Sequence, residues 1–159
     1  MKGHDQVRRF LFEQNPIRGQ HVSLDVSWQK IVAHSDAKGF ALTLLGQALT
    51  AVTLLVDTLK IDGSVTLQIR GSGAIHLLVA EATSNNTVRG LVRQSRELDE
   101  QKSLQDIFAT DRLVITINNG PGKPHQGIVP LSGDSLSAAL QSYFDQSEQL
   151  PTRFWFACK

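Results

Sequence analysis

The chain has 159 residues, enough for one domain with a sizeable core. Its 16 Lys and Arg nearly balance its 15 Asp and Glu, and the net charge of +1 argues against binding to nucleic acid or to an anionic membrane. A single cysteine, Cys158, excludes an internal disulfide and a multi-cysteine metal site within these residues. The first residues are polar and charged, unlike a signal peptide, so we expect a cytoplasmic protein.

The first third of the chain predicts two strands and two helices. Residues 5–13 have strand character, and residues 21–26 alternate between apolar and polar side chains, as in a half-buried strand. Ser27 is predicted to cap a short helix that ends near Ser35. A longer helix is predicted over residues 39–59.

The longer helix begins with an uncharged run, residues 39–56, that approaches the length needed to cross a bilayer. Its polar residues are not scattered, because Thr43, Gln47, Thr50 and Asp57 follow helical spacing and form one narrow stripe. This pattern favours a core helix that is buried on most sides.

The middle and end of the chain predict a β-rich section. Strands are expected at 65–70, 75–79, 87–93, 113–117, 126–131 and 152–159, and short helices at 103–109 and 134–146. Short turns between consecutive strands favour antiparallel pairing. The predicted fold class is α+β, with a mostly antiparallel sheet packed around the long apolar helix.

Motifs for catalysis are not recognisable in the sequence. In GPGKPHQG the lysine is followed by proline, so the hydroxyl that a phosphate-binding loop needs is missing. RGSGA lacks the third glycine of a dinucleotide fingerprint and connects two strands. The five histidines are dispersed, without the spacing of a helical zinc pair. We therefore expect that the protein is not an enzyme.

Apolar residues occupy sheet positions where alternation predicts polar ones. In the predicted β-section these residues are Leu78, Leu91, Val114 and Trp155. If their strands are neighbours, the four side chains form a patch that contacts clients or another subunit. The alternative is that a helix of the same chain covers them.

Several segments together resemble a known family. The stretches HDQVRRFLFE, DGSVTLQIRGSG, VRGLVR and HQGIVPLSGDSLSAALQSYFDQSEQLPTR occur in the order found in the N-terminal core of the 33 kDa chaperonin family. The resemblance covers essentially the whole chain. It implies a redox-regulated heat-shock holdase that binds unfolding proteins without ATP, forms homodimers and works in the cytoplasm.

The resemblance also implies that a part of the protein is missing here. The family carries a linker and a C-terminal module in which four cysteines hold one zinc ion, and oxidation of these cysteines activates the chaperone. Residues 1–159 would then be a truncated N-terminal chaperone core domain that has no metal of its own. The alternative that the residues leave open is a stand-alone α+β module that binds a small ligand or a peptide.

Overall fold

The computed structural model describes residues 4–98 and 102–159, and it confirms an α+β fold. Two strands form a separate hairpin, and five strands form an antiparallel sheet in the order β5-β4-β3-β6-β7. The elements are β1 (Gln6–Leu11), β2 (Arg18–Ser23), α1 (Val26–Ala33), α2 (Phe40–Leu59), β3 (Gly63–Arg70), β4 (Ile75–Thr83), β5 (Val88–Gln94), α3 (Leu104–Phe108), β6 (Arg112–Asn119), β7 (His125–Pro130) and α4 (Leu136–Tyr143), which continues into a π-helical turn (Phe144–Glu148).

The long helix α2 forms the centre of the core, as predicted. It starts after Gly39, whose φ of 58° suits glycine, and it stops where Lys60 adopts the left-handed conformation. Its 20 residues are numerous and apolar enough to cross a membrane, but more than half of this apolar stretch is buried in the fold. The predicted polar stripe is the half-buried side of the helix. α2 is therefore a core helix that packs against β3, β4 and β5.

A glycine in β5 lets α2 approach the sheet closely. A Cβ atom at Gly90 would lie 2.9 Å from Leu45 Cδ1 and 3.0 Å from Leu49 Cδ2, both on α2. Leu45 and Leu49 are fully buried, so the contact belongs to the interior of the core. Close packing of this kind excludes water from the helix–sheet interface.

The predicted direction of side chains in β4 is wrong. The register with β5 shifts between Ile75 and Leu77, where β4 carries a bulge. The extra residue reverses the alternation, so Leu78 points into the core and Val79 points away from it. Regular alternation in the sequence predicts the reverse, with Val79 in the core and Leu78 on the outer face.

The predicted boundaries around α1 are also wrong. The second strand lies at Arg18–Ser23 instead of residues 21–26, and α1 begins at Val26. Ser27 does not cap the helix. The side chain of Asp5 takes this role, because it accepts hydrogen bonds from the Asp25 amide at 2.7 Å, from the Ser27 amide and from the Ser27 hydroxyl.

The predicted strand at residues 152–159 is wrong, because this terminal segment has no regular secondary structure and pairs with no strand among the described residues. The Phe154 amide donates to the side-chain oxygen of Gln141 on α4 at 2.8 Å. The ring of Phe154 packs between those of Phe144 and Phe156, at centroid distances of 5.7 Å from each. The predicted alternation of buried and exposed side chains in this segment is confirmed. Its apolar side packs on helices and not on a sheet.

The cap at Asp5 gives a pH-dependent prediction. Burial disfavours the ionised carboxyl, but hydrogen bonds from the Ser27 side chain and from the amides of Asp25, Ser27 and Val26 outweigh it and lower the pKa of Asp5 below 3.8. Asp5→Asn mimics the protonated group, and at neutral pH it should lower the free energy of unfolding by at most about 1 kcal/mol, because the site is largely exposed.

The sign of this effect follows from the depressed pKa. Stabilisation by the Asp5 carboxylate is present above the unfolded-state pKa and is lost as the pH falls through the lower folded-state value. Urea unfolding at about pH 7 and about pH 3 should therefore show that the gap between wild type and Asp5→Asn narrows in acid. A gap that widens on acidification would contradict this assignment.

Candidate functional site on the open face of the sheet

The five-stranded sheet has one covered face and one open face. Inward side chains of its strands join residues of α2, α3 and α4 in one buried core. The outward side chains lie outside this core, and we call their side of the sheet the open face. Its residues are positioned by the rigid antiparallel register and not by loops.

An apolar row crosses the open face. The strand register places its members side by side, one on each of the five strands, and four of the five are apolar. In spatial order the apolar row is Leu91, Val79, Gln68, Val114 and Ile128. At about 4.8 Å between strands the row is about 19 Å long. Leu91 is 41% exposed and Ile128 is 60% exposed at the two ends, so the row is accessible to a partner.

The structure brings together only two of the four predicted contact residues. Leu91 and Val114 lie in the apolar row, separated by β4 and β3. Leu78 is 1% exposed and, because of the bulge, points into the core that the sheet shares with the helices, so for this residue the alternative of burial under the same chain is correct. Trp155 is 85% exposed, but it lies in the terminal segment and outside the sheet.

Sequence reasoning missed Val79 and Ile128. Side chains of β7 alternate regularly, with Val129 buried and Ile128 exposed, so this pattern could have predicted the outward position of Ile128. Val79 had no such signal, because its direction depends on a bulge that the amino-acid pattern does not reveal.

Charged residues border the apolar row on both sides. On one side Arg89 Nε and Glu81 Oε1 form an ion pair at 2.8 Å, and Thr66 donates a hydrogen bond to the same carboxylate. On the other side Arg93 and Arg70 flank Leu77 in one row. Neither of these two arginines forms an ion pair with a residue that the structure describes.

A second exposed apolar surface lies on the β1–β2 hairpin. Arg9 and Gln20 bind Asp57 of α2 and hold the hairpin against the helix. Its outer side chains are exposed, namely Val7, Phe10, Leu11, Phe12 and Ile17. Phe10, Leu11, Phe12 and Ile17 lie near the turn of the hairpin, whereas Val7 pairs with Val22 near its other end, so these residues do not form one row across several strands.

The zinc ion that the family resemblance implies is expected in the C-terminal module and not among residues 1–159. Within residues 4–98 and 102–159, no group of three or more His, Cys, Asp or Glu side chains is placed to hold a metal. Burial raises the pKa of the Cys158 thiol, which disfavours the thiolate that binds metals.

The position of Cys158 predicts slow thiol chemistry. A Cβ atom at Gly46 of α2 would lie 2.8 Å from Cys158 Sγ, so the thiol rests directly on the helix. Since the thiolate is the reactive form and burial disfavours it, a thiol reagent at mildly alkaline pH should modify the folded chain more slowly than the urea-unfolded chain. Gly46→Val should displace the terminal segment and accelerate the modification. Equal rates in the folded and unfolded wild-type chain would contradict this placement.

Comparisons with known proteins agree on one family. The sequence model of the Hsp33 protein family matches residues 5–159. The chain is 44% identical over 155 residues to the 33 kDa chaperonin of Nitrosococcus oceani and 39% identical over 156 residues to that of Yersinia pestis, covering 98% of this chain and 53% of each relative. It resembles the crystal structure of the 33 kDa chaperonin of Thermotoga maritima, with a TM-score of 0.62 and 30% identity over 79% of this chain and 44% of that one.

This chain is an α+β scaffold whose most regular accessible feature is an apolar sheet surface. With the matches above, the chain belongs to the Hsp33 family. It spans about half the length of the curated relatives that it matches.

Proposed function

We propose that this chain is the client-binding scaffold of a chaperone that holds unfolding proteins and prevents their aggregation. The observation that carries the proposal is the apolar row on the open face, together with relatives that are named 33 kDa chaperonin. A row of apolar side chains on a rigid sheet gains free energy by burial against any exposed apolar segment, without a specific sequence. Such binding needs neither catalysis nor ATP.

The redox switch belongs to the proposal for the complete protein. We propose that a C-terminal module with four cysteines and one zinc ion controls access to the scaffold, and that oxidation expels the metal and unfolds the module. Loss of a structural metal removes folding free energy from the region that the metal holds together. The proposed setting is the bacterial cytoplasm under heat and oxidative stress, with a homodimer as the working assembly.

An aggregation assay tests the scaffold. Light scattering of a heat-unfolding reporter enzyme should be suppressed by this chain, and the double variant Leu91→Asp with Val114→Asp should suppress it much less. Both positions lie on the open face, so the charges should oppose client burial and leave the core unchanged.

A matched control uses the neighbouring polar row. Thr116→Asp with Gln126→Asp adds the same charge to the same face, two residues along each strand from the apolar row. This control should retain most of the protection. Equal protection by the wild type and by the Leu91/Val114 variant, or no protection by the wild type, would contradict the proposal.

A further inference from the structure

A row of arginines runs beside the apolar row on the open face. The register pairs Arg93 with Leu77 and Leu77 with Arg70, so two arginines flank one leucine across three strands. Arg112 precedes Val114 by two residues on β6 and extends the same row. We call Arg93, Arg70 and Arg112 the arginine row.

Among the residues that the structure describes, the arginine row has little compensating charge. Arg93 and Arg70 are exposed and form no ion pair within residues 4–98 and 102–159. Arg112 has only a 3.5 Å contact with the neighbouring Asp111, and both side chains are largely exposed. The net charge of the whole chain is only +1, so this positive strip is a local feature and not a result of a basic composition.

The distance between the two rows matches the repeat of an extended polypeptide. Val79 and Leu77 are two residues apart on β4, as are Gln68 and Arg70 on β3, so the rows are separated by about 6.8 Å. Side chains two residues apart in an extended segment have the same spacing. An unfolded segment that lies parallel to the strands can therefore bury an apolar side chain on the apolar row. The side chain two residues away in that segment then lies over the arginine row.

We propose that the open face prefers unfolded segments in which an acidic residue follows or precedes an apolar residue by two positions. This inference rests on the proposed function and names the class of client. The apolar row supplies burial, and the arginine row supplies charge-assisted hydrogen bonds to carboxylates. A nucleic acid fits this surface less well, because a few arginines can contact only a few phosphates and the apolar row would stay without an apolar partner.

Short fluorescent peptides test this preference. Three peptides share the same apolar residues and carry Glu, Gln or Lys two positions from each of them. At about 0.02 M salt the Glu peptide should bind this chain about three- to tenfold more tightly than the Gln peptide, with the Lys peptide weakest. At about 0.5 M salt the three affinities should converge, because exposed charges are screened.

Variants connect the preference to the arginine row. Arg70→Gln with Arg93→Gln should remove the advantage of the Glu peptide and leave binding of the Gln peptide unchanged. The matched control, Arg8→Gln with Arg18→Gln, removes the same charge from exposed positions on the β1–β2 hairpin and should keep the advantage. Circular dichroism verifies that each variant is folded.

The possible outcomes separate this inference from the proposed function. Equal binding of the Glu and Gln peptides, or an advantage that survives Arg70→Gln with Arg93→Gln, would overturn the preference while binding of the Gln peptide still supported the scaffold. Competition by poly-glutamate as strong as that by the Glu peptide would also overturn it, because the apolar row would then contribute nothing. Failure of all three peptides to bind would overturn both.

Discussion

Leu78→Ala is expected to destabilise the fold by about 2–5 kcal/mol, the range measured for leucine truncation in well-packed cores. Leu78 is 1% exposed and belongs to the buried core that the sheet shares with the helices. Its neighbours in the core are the backbone and side chains of regular elements, which relax little around a new cavity. The midpoint of urea unfolding should fall accordingly, with little change in its slope.

The same substitution on the open face is the control. Leu91→Ala removes the same atoms from a side chain that is 41% exposed on β5, so its cost should be below about 1 kcal/mol. This pair tests the bulge in β4 directly, because regular alternation would have exposed Leu78. Similar losses for the two variants, or a larger loss for Leu91→Ala, would contradict the register of the structure.

Gly71→Ala should also be severely destabilising, by about 2–3 kcal/mol or more. A Cβ atom at Gly71 would lie 1.8 Å from the backbone oxygen of Phe108, at the end of α3. The main chain must move to admit it, because a carbonyl oxygen has no rotamer to change. Gly73 donates a hydrogen bond to the same oxygen at 3.1 Å, so this movement would also disturb the turn between β3 and β4.

Gly122→Ala is the matched control for Gly71→Ala. A Cβ atom at Gly122 would meet nothing within 4 Å, and its φ is not in the left-handed region. Its thermal unfolding midpoint should stay close to that of wild type, whereas that of Gly71→Ala should fall by several degrees. A wild-type midpoint for Gly71→Ala would show that the turn does not pack on α3 as described.

Most of the fold could be predicted because its signals are local. The uncharged run with one polar stripe specified α2, and alternation in residues 65–69 specified the inward face of β3. Both patterns reflect burial at a fixed period, so they do not depend on the rest of the chain. The predicted start of α1 at Ser27 was wrong because the helix is capped by Asp5, which lies twenty residues from Asp25 in sequence.

The candidate site was only half predictable. Leu91 and Val114 follow regular alternation and were placed correctly on the outer side of their strands. The predictions for Leu78 and Trp155 were wrong for non-local reasons. The direction of Leu78 depends on the bulge in β4, and Trp155 belongs to a segment that packs on helices instead of joining the sheet. The arginine row needs the strand order, which no single segment of sequence contains.

Methyl NMR of this chain with an unfolded client polypeptide tests the central claim most directly. Client addition is expected to broaden or shift the methyl signals of Leu91, Val79, Val114 and Ile128, while those of core residues such as Leu45 change little. Changes confined to the exposed residues of the β1–β2 hairpin or to the terminal segment, with the four open-face signals unaffected, would contradict it.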